Sequence, residues 1–110
     1  MTKKTKPREL LTPAALHVLL SLVDAPRHGY GIKQDVDERT GGELRLGPGT
    51  LYEAIHRLLA HGLIEDAGQE GRRKNYRLTR QGRRELKDEL ARLDGVVRYA
   101  RSKALLEDPR

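Results

Sequence analysis

One segment of the chain, residues 46–64, joins an apolar helical stripe to side chains that can donate hydrogen bonds. It reads LGPGTLYEAIHRLLAHGLI. At 100° per residue its aliphatic residues fall on one face of a helix, and small or polar residues occupy the opposite side. Hydroxyl, imidazole and guanidinium groups on that side can bind phosphates or base edges. The four side chains concerned are Thr50, Tyr52, His56 and Arg57.

A second group of side chains with binding chemistry is strongly basic. Residues 70–84, EGRRKNYRLTRQGRR, hold seven basic side chains and one acidic one, and three of the cations are consecutive: Arg72, Arg73 and Lys74. The whole chain has 22 Lys and Arg against 16 Asp and Glu, a formal net charge of +6. A local basic excess suits a polyanion, most often nucleic acid, although it can also serve only solubility.

The composition offers little for catalysis or metal binding. Cysteine is absent, so disulfides and thiolate metal sites are excluded. His56 and His61 do not share a helix face, which argues against a histidine metal pair. The GPGT sequence at residues 47–50 is too short for a nucleotide-binding glycine motif. We expect no enzyme activity, no cofactor and no metal.

The length and hydropathy of the chain indicate one small cytoplasmic domain. The chain has 110 residues, of which 36% are hydrophobic, so its core is small and a partner subunit could help to bury it. No apolar run approaches the roughly 20 residues that a membrane span needs. The basic start MTKKTKPR lacks the apolar region of a signal peptide.

Breakers and hydrophobic periodicity predict four helices and a hairpin. The polar–apolar alternation of residues 43–46 predicts a short strand that pairs with this hairpin. The hairpin occupies residues 63–79, with its basic tip at residues 68–74. The predicted helices cover residues 13–24, 29–39, 48–61 and 80–106.

The last predicted helix carries a heptad seam. Its apolar residues are spaced 4, 3, 4, 3 and 4 apart, a pattern that packs helices against each other. The seam could pack on the first helix, but a helix of this length exceeds what a small core can cover, so we expect a second copy of the chain to cover it. The predicted dimerisation residues are Leu86, Leu90, Leu93, Val97, Ala100 and Ala104.

This element order is that of a winged helix-turn-helix protein. We predict a mostly α fold with a small β-hairpin wing and a long C-terminal helix, assembled as a homodimer. The third helix would enter the major groove, and the wing would contact the DNA backbone. A winged helix used only for protein–protein interaction remains the alternative. The predicted parts are a flexible basic arm (residues 1–9), a DNA-binding domain (residues 10–79) and a dimerisation helix with a tail (residues 80–110).

Three sequence blocks resemble the PadR family of bacterial transcriptional regulators over about residues 10–95. They are HGYGIKQDV, GPGTLYEAIHRLLAHGLI and RRKNYRLTRQGRREL. The resemblance implies a homodimeric, usually repressive protein, and we expect its double-stranded DNA partner to be a pseudo-palindromic operator. Some members bind planar aromatic compounds or drugs between subunits and others need no ligand, so a small-molecule effector stays open.

The resemblance also implies roles for individual residues. Thr50 and Tyr52 match positions near the operator in relatives, and residues 72–74 match the wing tip. Tyr30 matches a position of the second helix at or near the phosphate backbone.

The residues themselves leave some roles open. Tyr52 could instead pack between two helices, although a phenol can pack and bond outward at once. Glu53 could accept a hydrogen bond from a cytosine or pair with Arg57, and we expect the pair. We expect His17 in or near the core and His28 in a loop or first turn.

Overall fold

Four helices and a three-stranded antiparallel sheet make up residues 11–107, the part of the chain that this computed structural model describes. The mostly α class with a small hairpin is thereby confirmed. None of the helices in this part is long and apolar enough to cross a membrane. The predicted arm (residues 1–9) and the end of the predicted tail (residues 108–110) lie outside the described residues. The elements are α1 (Pro13–Ser21), β1 (Arg27–His28), α2 (Gly29–Arg39), α3 (Pro48–Ala60), β2 (Ile64–Glu70), β3 (Arg73–Leu78) and α4 (Arg80–Ser102).

The helix α1 begins as predicted and ends three residues early. Thr12 caps it, since the Thr12 hydroxyl accepts from the Ala15 N–H at 3.1 Å, and Pro13 gives up no helical hydrogen bond. At the other end, Arg27 Nε donates to the Ser21 carbonyl at 2.7 Å. Because a side chain from β1 satisfies this terminal carbonyl, the helix can stop at Ser21.

The inner face of α3 forms the centre of the core. Leu51, Ala54, Ile55 and Leu58 are buried and pack among aliphatic residues of α1 and α2. Burying a large aliphatic side chain contributes roughly 1.5–3 kcal/mol, so this stripe fixes the orientation of the helix about its axis. The predicted helix of residues 48–61 is therefore confirmed to within one residue.

The third strand of the sheet is not where the alternation placed it, so the predicted strand at residues 43–46 was wrong. That segment is irregular, and its alternation arises because Leu46 is buried and Leu44 is partly buried against the core. The Thr40 hydroxyl accepts from the Leu44 N–H at 3.2 Å and holds this loop. The actual third strand, β1, precedes α2 and pairs with β3, giving the order β1-β3-β2.

The hairpin lies where it was predicted, but its strands are longer and its turn is tighter. Glu70 pairs with Arg73, which leaves a two-residue turn of Gly71 and Arg72. Gly71, the first residue of this turn, has a φ of 60°. A glycine with positive φ at this position is typical of the two-residue hairpin turns whose twist matches that of the strands. The cations of the predicted tip thus lie at the turn and at the start of β3.

A close backbone contact joins α4 to the hairpin. Thr79 caps α4 by accepting from the Gly82 N–H at 2.9 Å, and the Thr79 N–H donates to the Leu63 carbonyl at 3.1 Å. A Cβ on Gly82 would collide with the Leu63 carbonyl oxygen and lie 2.8 Å from its carbon. Only glycine therefore fits the third position of α4, where a capping box would have glutamate.

The helix α4 ends at Ser102, four residues before its predicted end. Ala104 has a φ of 61°, and the Leu105 N–H donates to the Ala100 carbonyl at 3.0 Å, which is the Schellman arrangement of a helix end. Ala104, predicted for the seam, therefore lies beyond the helix. Leu86 was predicted to be covered by a second copy of the chain. It is instead 3% exposed and belongs to the core of its own chain.

Polar side chains join α1 to α2. Arg39 Nε donates to the Asp35 carboxylate at 2.9 Å, and Arg39 Nη1 lies 3.2 Å from Nδ1 of His17. Burial acts to raise the pKa of the Asp35 carboxyl, but hydrogen bonds from Arg39 and Ser21 and the positive charges of Arg39 and Arg27 hold this pKa below its ordinary value. Burial and the Arg39 charge lower the pKa of His17, which lies near the core as expected.

Two alanine substitutions in α4 should have opposite effects on stability. Gly82→Ala should lower the free energy of unfolding by about 1–3 kcal/mol, because the new methyl group has no room beside Leu63. Gly95→Ala should raise it by roughly 0.5–1 kcal/mol, because nothing lies within 4 Å of the added Cβ and alanine favours the helix. Urea unfolding at one fixed protein concentration measures both. Equal effects would contradict the close contact at Gly82.

Candidate nucleic-acid interface

The outward face of α3 forms a ridge between two grooves. The core stripe points inward, so Gly49, His56 and Ala60 fall on the opposite side, and all three are exposed. Thr50 and Arg57 lie on the edge of α3 that faces α1. The predicted polar set of α3 is therefore presented to solvent.

One groove lies between α3, the start of α2 and the wing, and we call it the wing groove. It encloses about 340 Å³ and brings together residues that are far apart in sequence. Five of the eight predicted DNA-binding residues line it. Its lining consists of His28, Gly29, Tyr30, Tyr52, Arg72, Arg73, Lys74 and Tyr76.

Tyr52 packs against α2 and is also accessible to solvent. Its ring packs on the backbone of Gly29, where an added Cβ would lie 2.9 Å from the ring carbon that bears the hydroxyl. Tyr52 is nevertheless 42% exposed, so it remains accessible from the groove. Tyr76 of β3 lines the same groove. Burial raises the pKa of the Tyr76 phenol, and electrostatic interactions with Tyr52 and Asp66 raise it further.

His28 lines the wing groove, although the sequence analysis assigned it to no site. It caps α2, because Nδ1 accepts from the Gly31 N–H at 3.0 Å, and its Nε2 lies 3.0 Å from Arg73 Nη1. A neutral imidazole has one acceptor nitrogen and cannot accept from both donors. The two contacts therefore cannot both be hydrogen bonds to a neutral His28, and the Arg73 guanidinium has N–H donors beyond the one that faces Nε2. Histidine is not among the preferred N-cap residues. The only sequence signal for this cap is therefore that His28 directly precedes Gly29, where α2 begins.

The other groove separates α3 from the start of α1, and we call it the α1 groove. It encloses about 320 Å³. Thr50, Glu53 and Arg57 line it on the α3 side, opposite residues 12–15. The expected ion pair between Glu53 and Arg57 was wrong, since no ion pair within residues 11–107 includes either side chain. An exposed pair of this spacing contributes only a few tenths of a kcal/mol, too little to hold two long side chains together.

The electrostatics of this side of the molecule favour an anion. The helices α1 and α2 both begin beside a groove, and the unpaired N–H groups at a helix start carry partial positive charge. In the described part of the chain, residues 72–74 of the wing take part in no ion pair. These cations are therefore available to phosphates.

Residues 18–88 match the model of the transcriptional regulator PadR-like family, and this match covers more than half of the chain. The chain belongs to the PadR-like family. Family membership confirms the resemblance inferred from the three sequence blocks.

Two relatives are similar to this PadR-like chain over about three quarters of its length. An uncharacterized 37.1 kDa protein in transposon Tn4556 of Streptomyces fradiae is 41% identical over 87 residues, which are 76% of this chain and 25% of that protein. Transcriptional regulator Rv3488 of Mycobacterium tuberculosis is 38% identical over 86 residues, which are 76% of this chain and 78% of that protein.

A solved relative has been captured with DNA. The crystal structure of Bacillus subtilis PadR in complex with operator DNA matches this PadR-like chain with a TM-score of 0.64 at 25% identity. The match covers 72% of this chain and 47% of that one. The likeness thus extends over most of this chain and about half of the other.

Two glycine substitutions in the first turn of α2 test the role of Tyr52. Gly29→Ala should displace the Tyr52 ring and weaken DNA binding about tenfold, with little change in stability, because the φ of Gly29 is not positive. Gly31→Ala is the matched control, since its Cβ would make only an ordinary contact 3.5 Å from His28 Cε1. Fluorescence anisotropy with labelled duplex DNA measures the affinities of the two variants. Equal affinities would show that DNA binding does not depend on where the Tyr52 ring lies.

Proposed function

We propose that this PadR-like protein is a homodimeric transcriptional repressor that binds a pseudo-palindromic operator. The α3 ridge enters the major groove, and the wing groove holds the adjacent phosphate backbone. The observation that carries this proposal is the wing groove itself, because it gathers Tyr30, Tyr52 and the three wing cations beside a helix start. The protein acts on DNA in the cytoplasm and has no catalytic role.

The two sides of α3 have different tasks in this arrangement. The wing groove supplies cations and hydroxyl donors, which bind phosphates in any sequence and so provide affinity and register. The ridge offers His56 between the small residues Gly49 and Ala60, so its backbone can approach the base edges closely. Thr50 and Arg57 border the ridge from the α1 groove. Sequence choice is assigned to this ridge.

The distal part of α4 supports the proposal of a dimer. After Leu86 enters the core, the next seam residue, Leu90, is 37% exposed, and Leu93, Val97 and Ala100 continue the seam along a helix that extends past the domain. Tyr99, on the outer side of the same helix, is 65% exposed. A two-fold partner on the seam would cover the apolar surface and place the two α3 helices about 34–36 Å apart, one DNA turn.

The wing cations should determine the salt dependence of binding. Replacing Arg72, Arg73 and Lys74 together by alanine should weaken binding to all duplexes similarly. The log–log salt slope should become shallower by roughly 0.9 for each phosphate that the wing no longer neutralises, or up to about 5 per dimer.

The control removes the same number of charges from positions of α4 outside the seam, through Arg84→Ala, Lys87→Ala and Arg98→Ala. Its salt slope should match that of the parent protein. Filter binding to non-specific DNA between about 50 and 200 mM salt measures both slopes. An unchanged slope in the wing variant would remove the wing from the interface.

Sequence-specific binding itself can be tested with DNA from upstream of the protein's own gene. A gel shift at low salt should show a complex that survives a large excess of unrelated duplex. Absence of any specific complex would make the protein–protein interaction module the better account of the fold.

The open seam of α4 should determine the oligomeric state. Leu90→Lys together with Leu93→Lys should give a monomer in sedimentation experiments, because two charges would be buried in an apolar contact. Operator affinity should fall as well, since each half-site would then be bound independently. Ala91→Lys adds a charge on the opposite side of α4 and should leave the dimer intact. A dimer that persists in the double variant would place the interface elsewhere.

A further inference from the structure

The outward face of α3 carries one carboxylate, that of Glu53, on the side of the molecule where the basic residues of the wing also lie. Glu53 is exposed on α3, next to His56 on the ridge and at the margin of the α1 groove. A negative charge at this position is repelled by DNA phosphates, so it lowers affinity for duplexes in general. Such a residue is compatible with DNA binding when a specific donor on the DNA compensates for the repulsion.

Nothing within the described residues neutralises this carboxylate. Arg57, four residues along, forms no ion pair with Glu53. The start of α1 lies across the groove, but the Ala15 N–H already donates to the hydroxyl of Thr12. None of the side-chain hydrogen bonds within residues 11–107 involves the Glu53 carboxylate. The acceptor atoms of Glu53 are therefore open to an incoming donor.

We propose that Glu53 is a specificity-determining residue that accepts a hydrogen bond from the N4 amino group of a cytosine in each half-site. This inference rests on the proposed entry of α3 into the major groove. An ionised carboxylate only accepts hydrogen bonds, and the donors on the major-groove edges are the amino groups of cytosine and adenine. Guanine and thymine present acceptors and repel it.

Cytosine fits the carboxylate better than adenine does. The adenine amino group lies next to the acceptor N7, which would face the second carboxylate oxygen. The cytosine amino group lies next to a C–H instead, so it brings no such repulsion. The neighbouring residues permit close approach, because nothing lies within 4 Å of an added Cβ at Gly49 and the side chain of Ala60 is a single methyl group.

The repulsion between the Glu53 carboxylate and DNA would help the protein to distinguish its operator from other sequences. Glu53 weakens binding to every sequence without a suitably placed amino group and recovers that affinity only at the matching base pair. Removing it should therefore raise affinity for random DNA and lower affinity for the operator.

The test compares Glu53→Gln and Glu53→Ala with the parent protein in selections from random duplex pools. The parent should select a G·C pair at one position of each half-site, with cytosine facing α3. Glutamine should shift this position toward adenine, whose N6 and N7 it can bind together. Alanine should bind random duplexes several-fold more tightly and discriminate about tenfold less at that position, with the other positions unchanged.

Glu38→Gln is the matched control, because it removes a carboxylate from the exposed end of α2, outside both grooves. It should select the same sequence as the parent. Identical selections by the parent and the Glu53→Gln variant would overturn the inference while leaving operator binding in place. A lower thermal midpoint of that variant with unchanged base preference would instead show that Glu53 stabilises the start of α1. A parent protein that selects no sequence would refute the proposed function and this inference together.

Discussion

The architecture depends on the burial of one face of α3. Four residues of that helix, at positions 51, 54, 55 and 58, lie in a core that contains no phenylalanine or tryptophan. Each contributes through apolar contact alone, so the helix has one favourable rotation about its axis. The same burial decides which residues remain outside. The exposed ridge of α3 is thus a direct consequence of how the core is filled.

A two-residue strand then determines what lies beside that ridge. The pairing of Arg27 with Tyr76 and of His28 with Asn75 ties the start of α2 to the wing. Without this pairing, the cations of a hairpin tip would have no fixed relation to the tyrosines on α2 and α3. The strand also ends α1, because Arg27 satisfies its last carbonyl. Short strands of this kind can organise a binding surface while contributing little to the core.

The sequence predicted the helices well, because strong caps and apolar periodicity act locally. Thr12, Pro13 and Thr79 mark helix starts that the structure confirms. Strand β1 was not predictable in this way, because two residues carry no period and their pairing is with a segment far along the chain. Leu44 and Leu46 alternate like a strand for a different reason, namely insertion into the core from a loop. The sequence also placed the polar residues of α3 correctly, but it could not show that His28 caps α2 or that Glu53 and Arg57 stay apart.

The packing of Gly82 at the start of α4 determines the direction in which the rest of this long helix runs. Backbone contact with Leu63 fixes the first turn of α4 against the hairpin, while the helix extends about 30 Å from Gly82 to Ser102 at 1.5 Å per residue. A tilt of about 10° at Gly82 would displace the far end by roughly 5 Å over that length. In the proposed two-fold assembly built on the far end, the distance between the two α3 helices would therefore depend on how Gly82 packs against Leu63.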